Sequence, residues 1–253
     1  MSLPNVGSID YSQRQDWVER VQTDGGDRVE PSFVFDATHQ AGLLPRLVPV
    51  GRSPLGPPRR VVFAHFRARG NGGSTHVASP LSWAHSTTIF KLASMADGFE
   101  GVAWCIPLGN YVSVGVSVAE DDVHDDDSEM IARTIAGYER IGIAIASAFP
   151  SVGEIVAHPH QYYVHERAWS RNWVLVGGAY TSIWFTSSSG FGLGLAAARL
   201  AHRFVAEPSR TGLIYQRLCG MFQELHTTHD RLLNTRVSSD IKTDAGTTGK
   251  LTP

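Results

Sequence analysis

The sequence has few of the features that mark nucleic-acid-binding, membrane-spanning or disulfide-rich proteins. Its 253 residues include 22 Lys and Arg against 24 Asp and Glu, with no run of basic residues. A basic patch is the electrostatic signature of binding to nucleic acid or anionic membrane, so neither partner is expected. No apolar stretch approaches the roughly 20 residues that span a bilayer, and the N-terminus lacks a basic segment followed by an apolar one. The sequence therefore predicts a globular, cytoplasmic protein.

Cysteines and metal-ligand patterns are equally sparse. Cys105 and Cys219 are far apart and show no CxxC or Cys/His spacing, so both are predicted to be buried free thiols. The acidic run 120–127 lacks the calcium-loop pattern. Its carboxylates are expected to favour the N-terminus of a helix over 128–149. No metal site is predicted.

β-branched and aromatic residues dominate the first half of the chain. Segments 61–66, 86–92, 102–106 and 111–118 are predicted to form an antiparallel sheet. The turn Asp24-Gly25-Gly26-Asp27 indicates a hairpin between 17–22 and 33–35. Residues 46–60, rich in Pro, Gly and Arg, are predicted to form a loop.

The second half is predicted to contain two long helices. They cover 189–205 and 209–234, and the second carries a stripe of Tyr215, Leu218, Phe222 and Leu225. With 42% hydrophobic residues the chain can bury a core as a single domain over 1–237. The polar tail 238–253 is predicted to be disordered.

Residues 173–204, WVLVGGAYTSIWFTSSSGFGLGLAAARLAHRF, are the most informative stretch. They predict a strand, a glycine turn, a serine-rich loop and a helix of small residues. Ser188 or Ser189 is placed to cap the helix, and Gly190 lies beside its free amides. Because such an N-terminus favours a negative group, this segment is expected to face an anion or cofactor.

Within that stretch, residues 177–191, GGAYTSIWFTSSSGF, resemble the segment GDAAGFIDPLFSSGV of flavin-dependent halogenases and related FAD-dependent monooxygenases. The positions that match are Gly177, Ala179, Ile183, Ser188, Ser189 and Gly190. Gly178 replaces the aspartate that the family uses on the flavin ribityl chain. Trp184 and Phe185 replace a later Asp-Pro pair.

Two further segments extend the resemblance over roughly residues 17–233. Residues 33–47, FVFDATHQAGLLPRL, resemble the family's strand ending in Asp-Ala-Ser-Gly, with His39 at the glycine. Residues 101–108, GVAWCIPL, resemble its WxWxIP element, with Val102 at the first tryptophan, and 111–118 resembles its next strand. The resemblance implies an α+β fold in which an antiparallel substrate-side sheet packs with helices. It also implies remnant strands and a helix of an FAD-binding, glutathione-reductase-like domain.

The departures from the family pattern are as informative as the matches. The family opens with a strand, GxGxxG and a helix that bind the FAD pyrophosphate, and this sequence contains no such unit. The glycines at 190, 192 and 194 fall inside a helix and are expected to serve packing. The family's active-site lysine belongs to the same absent unit, and Lys91 lies in a different segment. Together with Gly178, these departures predict that FAD is not bound.

A cluster of histidines and tyrosines lies in 156–169. In an extended strand His158, His160 and Tyr162 share one face, while Tyr163 and His165 share the other. Such a face could perform acid–base chemistry near neutral pH. A zinc site would need further ligands that the pattern does not indicate. Pro159 is expected to break the strand and leave the histidines at a sheet edge.

Three functions remain open. The chain has lost FAD and binds or cyclises a hydrophobic natural-product intermediate; or it is half of a split flavoenzyme with a separate N-terminal flavin-domain partner; or it is a non-catalytic binding protein or remnant. The first implies an apolar or aromatic small molecule, free or carrier-tethered. Its substrate-binding residues would be Trp104, Cys105, Trp184, Phe185 and Gly190. His160 or Tyr162 would exchange a proton, and the oxyanion would be stabilised by Ser188, Ser189 and the Gly190 amide.

Overall fold

The computed structural model of the protein describes residues 6–67, 87–93, 100–108, 111–122, 126–137, 142, 151–183 and 189–234. The strands are β1 (Val6–Ser12), β2 (Trp17–Thr23), β3 (Arg28–Val29), β4 (Val34–Asp36), β5 (Arg52–Pro54), β6 (Arg59–Arg67), β7 (Thr88–Ala93), β8 (Glu100–Pro107), β9 (Tyr111–Ala119), β10 (Ser151–His160), β11 (Tyr163–His165), β12 (Trp173–Leu175) and β13 (Thr181–Ser182). The α-helices are α1 (Asp127–Ala136), α2 (Ser189–Ala206) and α3 (Pro208–Asn234). Short 3₁₀ helices cover His39–Ala41, Leu44–Arg46, Glu120–Asp122 and Gly177–Ala179. None of these helices combines the length and apolarity needed to cross a membrane.

A five-stranded antiparallel sheet is the largest element, with strand order β10-β6-β9-β8-β7. Its strands are the β-branched and aromatic runs predicted from the sequence, with β10 added at one edge. The α+β class with an antiparallel sheet is therefore confirmed.

One face of this sheet is buried against α1. Side chains from β6, β8 and β9, including Cys105, form one apolar cluster with Met130 and Ile131. Asp126 caps the helix by accepting a hydrogen bond from the Glu129 amide, at 2.8 Å. The expected role of the acidic run at this N-terminus is thus confirmed for Asp126, because its carboxylate satisfies a free amide of the first turn.

A second core forms around β12 and the two long helices. β12 pairs in parallel with β4, and the buried residues Trp173, Leu193 and Tyr215 belong to the same cluster. Asn172, fully buried, holds β2 through both its side-chain groups: its Oδ1 accepts from the Val18 amide and its Nδ2 donates to the Val18 carbonyl. Strands distant in sequence are joined at this point.

Two predicted strand features are wrong. The turn at 24–27 does form a hairpin, but the strand after it is Arg28–Val29, and Val34–Asp36 pairs with β12 instead. Pro159 does not break its strand: β10 runs through to His160. The reason is that β10 is an edge strand, where a residue without an N–H is tolerated. The histidines do lie at a sheet edge, as predicted.

Two further predictions need correction. The segment 46–60 is not all loop, because it contains β5 and the start of β6. On α3, Leu225 is 46% exposed, whereas Cys219 and His226 are buried. The buried stripe of α3 therefore runs through Tyr215, Cys219 and His226. The helix predicted over 128–149 is described only as α1, and the tail 238–253 lies outside the described residues.

The face of the sheet opposite α1 carries Trp104, whose indole packs directly on Gly115. A β-carbon on Gly115 would lie 2.3 Å from the Trp104 ring and 2.6 Å from the β-carbon of Phe63. The three residues occupy one row across neighbouring strands. Glycine at 115 is thus what allows the indole to lie flat on the sheet.

We expect Gly115→Ala to destabilise the fold by about 1–3 kcal/mol, because the added methyl group overpacks this row. The free energy of unfolding, measured by urea denaturation, checks the prediction. Gly220→Ala is the matched control, since no atom outside its helix backbone lies within 4 Å of a β-carbon there. Alanine should be neutral or stabilising at that helical position. Equal stability of the two variants would contradict the packing described for Trp104.

Candidate functional site

The candidate site lies where the glycine turn after β12 meets the end of β10. Gly177 has a φ of +56°, a left-handed conformation that favours glycine. Its amide donates to the Tyr215 hydroxyl at 2.9 Å. A β-carbon on Gly177 would lie 3.0 Å from the Gly190 carbonyl oxygen, so the turn contacts the first residues of α2 directly. The predicted order of strand, glycine turn and helix is confirmed.

Gly178 lies under the ring of His39. A β-carbon on Gly178 would be 2.3 Å from Cδ2 and 2.7 Å from Nε2 of His39, an exposed side chain, so a side chain fits at 178 only if the imidazole moves. His39 itself has a φ of +55°, which is uncommon for a residue with a β-carbon. The Gly178 carbonyl accepts a hydrogen bond from the Tyr163 hydroxyl at 2.6 Å.

The loop that carries His39 is anchored by Asp36, a buried carboxylate that sequence reasoning did not assign. Asp36 accepts from the Thr38 amide at 2.9 Å, from the Thr38 hydroxyl at 2.6 Å and from the Leu44 amide at 2.7 Å. The Thr38 hydroxyl in turn accepts from the Leu43 amide at 2.9 Å. These bonds close the loop at both ends of the 3₁₀ helix His39–Ala41. The Asp-Ala-Thr motif was the available signal, because Asp and Thr commonly bond to nearby amides in turns.

His160, the last residue of β10, reaches the same loop. Its Nδ1 lies 3.1 Å from Nε2 of Gln40, and its Nε2 lies 3.5 Å from the Ser182 hydroxyl, at the long limit for a hydrogen bond. With Gln40 Nε2 as the donor, Nδ1 accepts and the proton of the neutral ring is on Nε2. Gln40 and Ser182 are remote from His160 in sequence, and no local pattern pointed to either.

The electrostatic environment keeps His160 neutral. Burial lowers its pKa from the ordinary value of 6.5 to about 4, with further lowering by the charges of His158 and Arg59. Arg59 is buried and donates to the hydroxyl and the carbonyl of Ser117, both at 2.8 Å. At pH 7 a histidine with this pKa is protonated in only about one molecule in a thousand.

Tyr162 and His158 flank His160, as the alternation of side chains predicted. The rings of Tyr162 and His160 are edge to face at 4.7 Å, and those of His158 and His160 stack at 6.5 Å. Tyr162 is buried, with His226 of α3 against its other side at 4.7 Å. His158 is exposed, so the two histidines differ in their access to solvent.

The remaining predicted site residues are spread more widely. Trp104 lies on the same sheet as His160 but three strands and four residues away, so strand geometry separates their Cα atoms by on the order of 20 Å. Cys105 faces the α1 side, and burial raises the pKa of its thiol to about 11. Gly190 lies beside the glycine turn, where its carbonyl oxygen would be 3.0 Å from a β-carbon on Gly177. Trp184, Phe185 and Ser188, and the side chain of Ser189, fall outside the described residues, so their predicted roles stay predictions.

Within the described ranges, no three His, Cys, Asp or Glu side chains come together in a way that could hold a metal ion. The histidines of the site are instead engaged with one another, with Tyr162 and with Gln40.

Solved structures similar to this chain are flavin-dependent halogenases. The brominase Bmp2 is 19% identical over 91% of this chain and 58% of its own, with a TM-score of 0.69. Xcc4156 from Xanthomonas campestris is 17% identical over 93% of this chain and 44% of its own, with a TM-score of 0.66. The halogenase PltM, solved in complex with FAD, is 18% identical over 90% of this chain and 48% of its own, with a TM-score of 0.65.

The chain has a partial halogenase-like fold. The resemblance stated from the motifs is thereby confirmed as a likeness of fold. No protein-family model matches the chain, and no curated protein matches it. The chain spans about half the length of these halogenases, between 44% and 58% of the three described above.

The halogenase-like fold raises the question of whether the residues present fit FAD. The resemblance implies a carboxylate at position 178, on the turn that follows β12. In this chain position 178 is a glycine, and the imidazole of His39 occupies the space that a side chain at 178 would fill. At this turn, the residues of the chain do not fit the flavin contact.

The low pKa of His160 predicts a pH-dependent stability. Between pH 6.5 and about 4 the unfolded chain binds a proton on this residue and the folded chain does not, so stability should fall as the pH is lowered through that window. His160→Gln should flatten this part of the profile. Urea denaturation of both proteins at several pH values measures the difference. Burial also lowers the pKa of His165, but this residue is present in both proteins, so its contribution to the pH dependence of stability cancels in the comparison. Parallel profiles for the two proteins would contradict the assignment.

Proposed function

We propose that this halogenase-like protein binds a hydrophobic or aromatic small-molecule intermediate of natural-product biosynthesis beside His160, and isomerises or cyclises it without flavin. The observation that carries the proposal is the position of the His160 ring, whose Nδ1 lies 3.1 Å from Gln40 Nε2 and whose Nε2 lies 3.5 Å from the Ser182 hydroxyl. Burial lowers the pKa of this ring to about 4, which favours its neutral form at pH 7. The substrate is either free or carrier-tethered. The cytoplasmic location that the sequence predicts remains a prediction.

The chemistry follows from the protonation state of His160. A ring with so low a pKa is a weak base and is rarely an imidazolium at pH 7. As a neutral donor, its Nε2–H can instead stabilise negative charge on a carbonyl oxygen as a neighbouring C–H bond loses its proton. His158, exposed and 6.5 Å away between ring centroids, is the proton acceptor in this proposal. The proton returns to another atom of the product, so the reaction needs no oxidant or reductant.

Most of the other predicted site residues keep their predicted roles in this proposal, and Tyr162 and Cys105 do not. Trp104 lies on the order of 20 Å from His160 on the same sheet, so it would contact the far end of an elongated or carrier-tethered substrate. Trp184 and Phe185 keep their predicted role of holding the apolar part. The Gly190 amide, with Ser188 and Ser189, would stabilise an oxyanion near the glycine turn. The burial of Tyr162 between two imidazoles favours a packing role over proton exchange. Cys105 is left out of the proposed pocket, because it belongs to the apolar cluster against α1.

A flavin-free protein is supported by His39 and Gly178, whichever segments precede or follow the chain. We interpret β4, β12 and α2 as remnants of an FAD-binding, glutathione-reductase-like domain in which the flavin contact has been replaced by a packed imidazole. No cofactor takes part in the proposed reaction.

The second candidate, half of a split flavoenzyme, is favoured by a different observation. Among the described residues the parallel sheet has two strands, whereas parallel sheets are normally covered on both faces. Phe35 of β4 is 38% exposed, and Phe191 and Leu195 of α2 are 76% and 52% exposed. A partner that supplies further strands and a flavin would cover such apolar groups. A non-catalytic binding protein is the third possibility.

We expect the purified full chain to stay colourless after incubation with excess FAD and removal of the unbound fraction. The physical reason is that His39 fills the space beside Gly178. Visible flavin absorbance measures retained cofactor, and PltM, a halogenase of similar fold, provides the positive control. Near-stoichiometric flavin on this chain would overturn the flavin-free proposal and favour the split enzyme.

Small aromatic probes should perturb His160 directly. Titration of the full chain with phenol and with indole is expected to give saturable changes in the His160 ring signals in NMR spectra, because the proposed site places an apolar ligand against this imidazole. His160→Gln supplies the assignment. Tyr111, at the far end of the sheet, is the internal control whose signals should stay unchanged. If neither probe moves the His160 signals, the proposed binding site is wrong.

A further inference from the structure

The 3₁₀ helix His39–Ala41 connects the glycine turn to His160 through two adjacent side chains. His39 packs on Gly178, and Gln40 reaches Nδ1 of His160 at 3.1 Å. The glycine turn and the end of β10 therefore contact the same three-residue helix. His39 and Gly178, two departures from the family pattern that are far apart in the sequence, lie against each other here.

Within this short helix, His39 is the residue that lies against Gly178 of the glycine turn. Its neighbours on either side are fixed by other bonds, because Asp36 holds Thr38 and Leu44. The middle of the loop has no such carboxylate. There the imidazole of His39 lies against Gly178, and the His39 backbone has a left-handed φ of +55°.

Gln40 follows directly in the chain, so the orientation of its side chain depends on the backbone at His39. Gln40 Nε2 donates to Nδ1 of His160, which leaves the ring proton on Nε2 and directs it towards Ser182. A change in the backbone at His39 would withdraw the donor from Nδ1. Both tautomers of the neutral ring would then be populated, because the hydrogen bond to one nitrogen selects the other for the proton.

We propose that His39 is a positioning residue: by packing on Gly178 it fixes Gln40 against Nδ1 of His160 and so selects the tautomer that carries its proton on Nε2. Gly178 is part of the same device, because any side chain there would displace the imidazole. The catalytic meaning of the device rests on the function proposed above. The structural part of the proposal, a coupling between residues 178, 39, 40 and 160, is independent of that function.

The test measures the ¹⁵N shifts of both ring nitrogens of His160 in the full chain at neutral pH, without ligand. In the unmodified protein we expect a protonated Nε2 and an unprotonated, hydrogen-bonded Nδ1. Gln40→Ala should mix the two tautomers. Gly178→Ala and His39→Gly should also mix the two tautomers, although the hydrogen bonds to the His160 ring come from Gln40 and Ser182.

Gly192→Ala is the matched control, since a β-carbon there meets no atom within 4 Å. It should leave both His160 shifts unchanged. His39→Gly suits the left-handed backbone and is expected to fold, so it decides the outcome even if Gly178→Ala does not. The double variant adds a second measurement: Gly178→Ala should lower Tm in the presence of His39 and should not lower it in the His39→Gly background.

The proposal is overturned if His39→Gly retains the original tautomer, or if Gln40→Ala does not change it. Its failure is distinguishable from failure of the proposed function. The tautomer is read without substrate, whereas the proposed function fails when aromatic probes do not reach His160 or when FAD is retained.

Discussion

The parallel pairing of β4 with β12 is the constraint on which the rest of the site depends. It joins Val34–Asp36 to Trp173–Leu175, two segments that are far apart in the sequence. Because each strand is followed at once by a loop of the candidate site, the pairing places the loop after Asp36 over the glycine turn after Leu175. Burial of Trp173 and Asn172 holds the pair in place, and Asn172 also ties in β2. Without this junction, neither His39 nor Gln40 would meet its partner.

The antiparallel sheet contributes in a different way, by carrying His160 to the junction on an edge strand. Within the part of the chain that the structure describes, β10 pairs with β6 on one side and forms an edge of the sheet. Partial burial beside a buried guanidinium then fixes the charge state of His160. The antiparallel sheet thus positions His160, and the loop after β4 supplies Gln40, whose side chain donates to Nδ1 of His160.

Local patterns predicted the parts of this structure that local physics determines. The β-branched runs form the antiparallel sheet, Asp126 caps α1, and the glycine turn precedes α2, because each depends on neighbouring residues. The partner of the strand at Phe35 was wrong, and the passage of β10 through Pro159 was missed, because both depend on which strand lies alongside. Likewise, the motifs predicted that positions 39 and 178 depart from a family pattern. That the two residues touch, and that Gln40 and Ser182 flank His160, are long-range contacts with no signature in the sequence.

The contact of His39 with Gly178 couples the residues that the two positions can hold. The first carbon of a side chain at 178 would lie 2.3 Å from the His39 ring, so a larger residue there requires the imidazole to move. The side chains tolerated at 178 therefore depend on which residue occupies position 39. A library that varies both positions together samples arrangements of this turn that substitutions at either position alone do not reach.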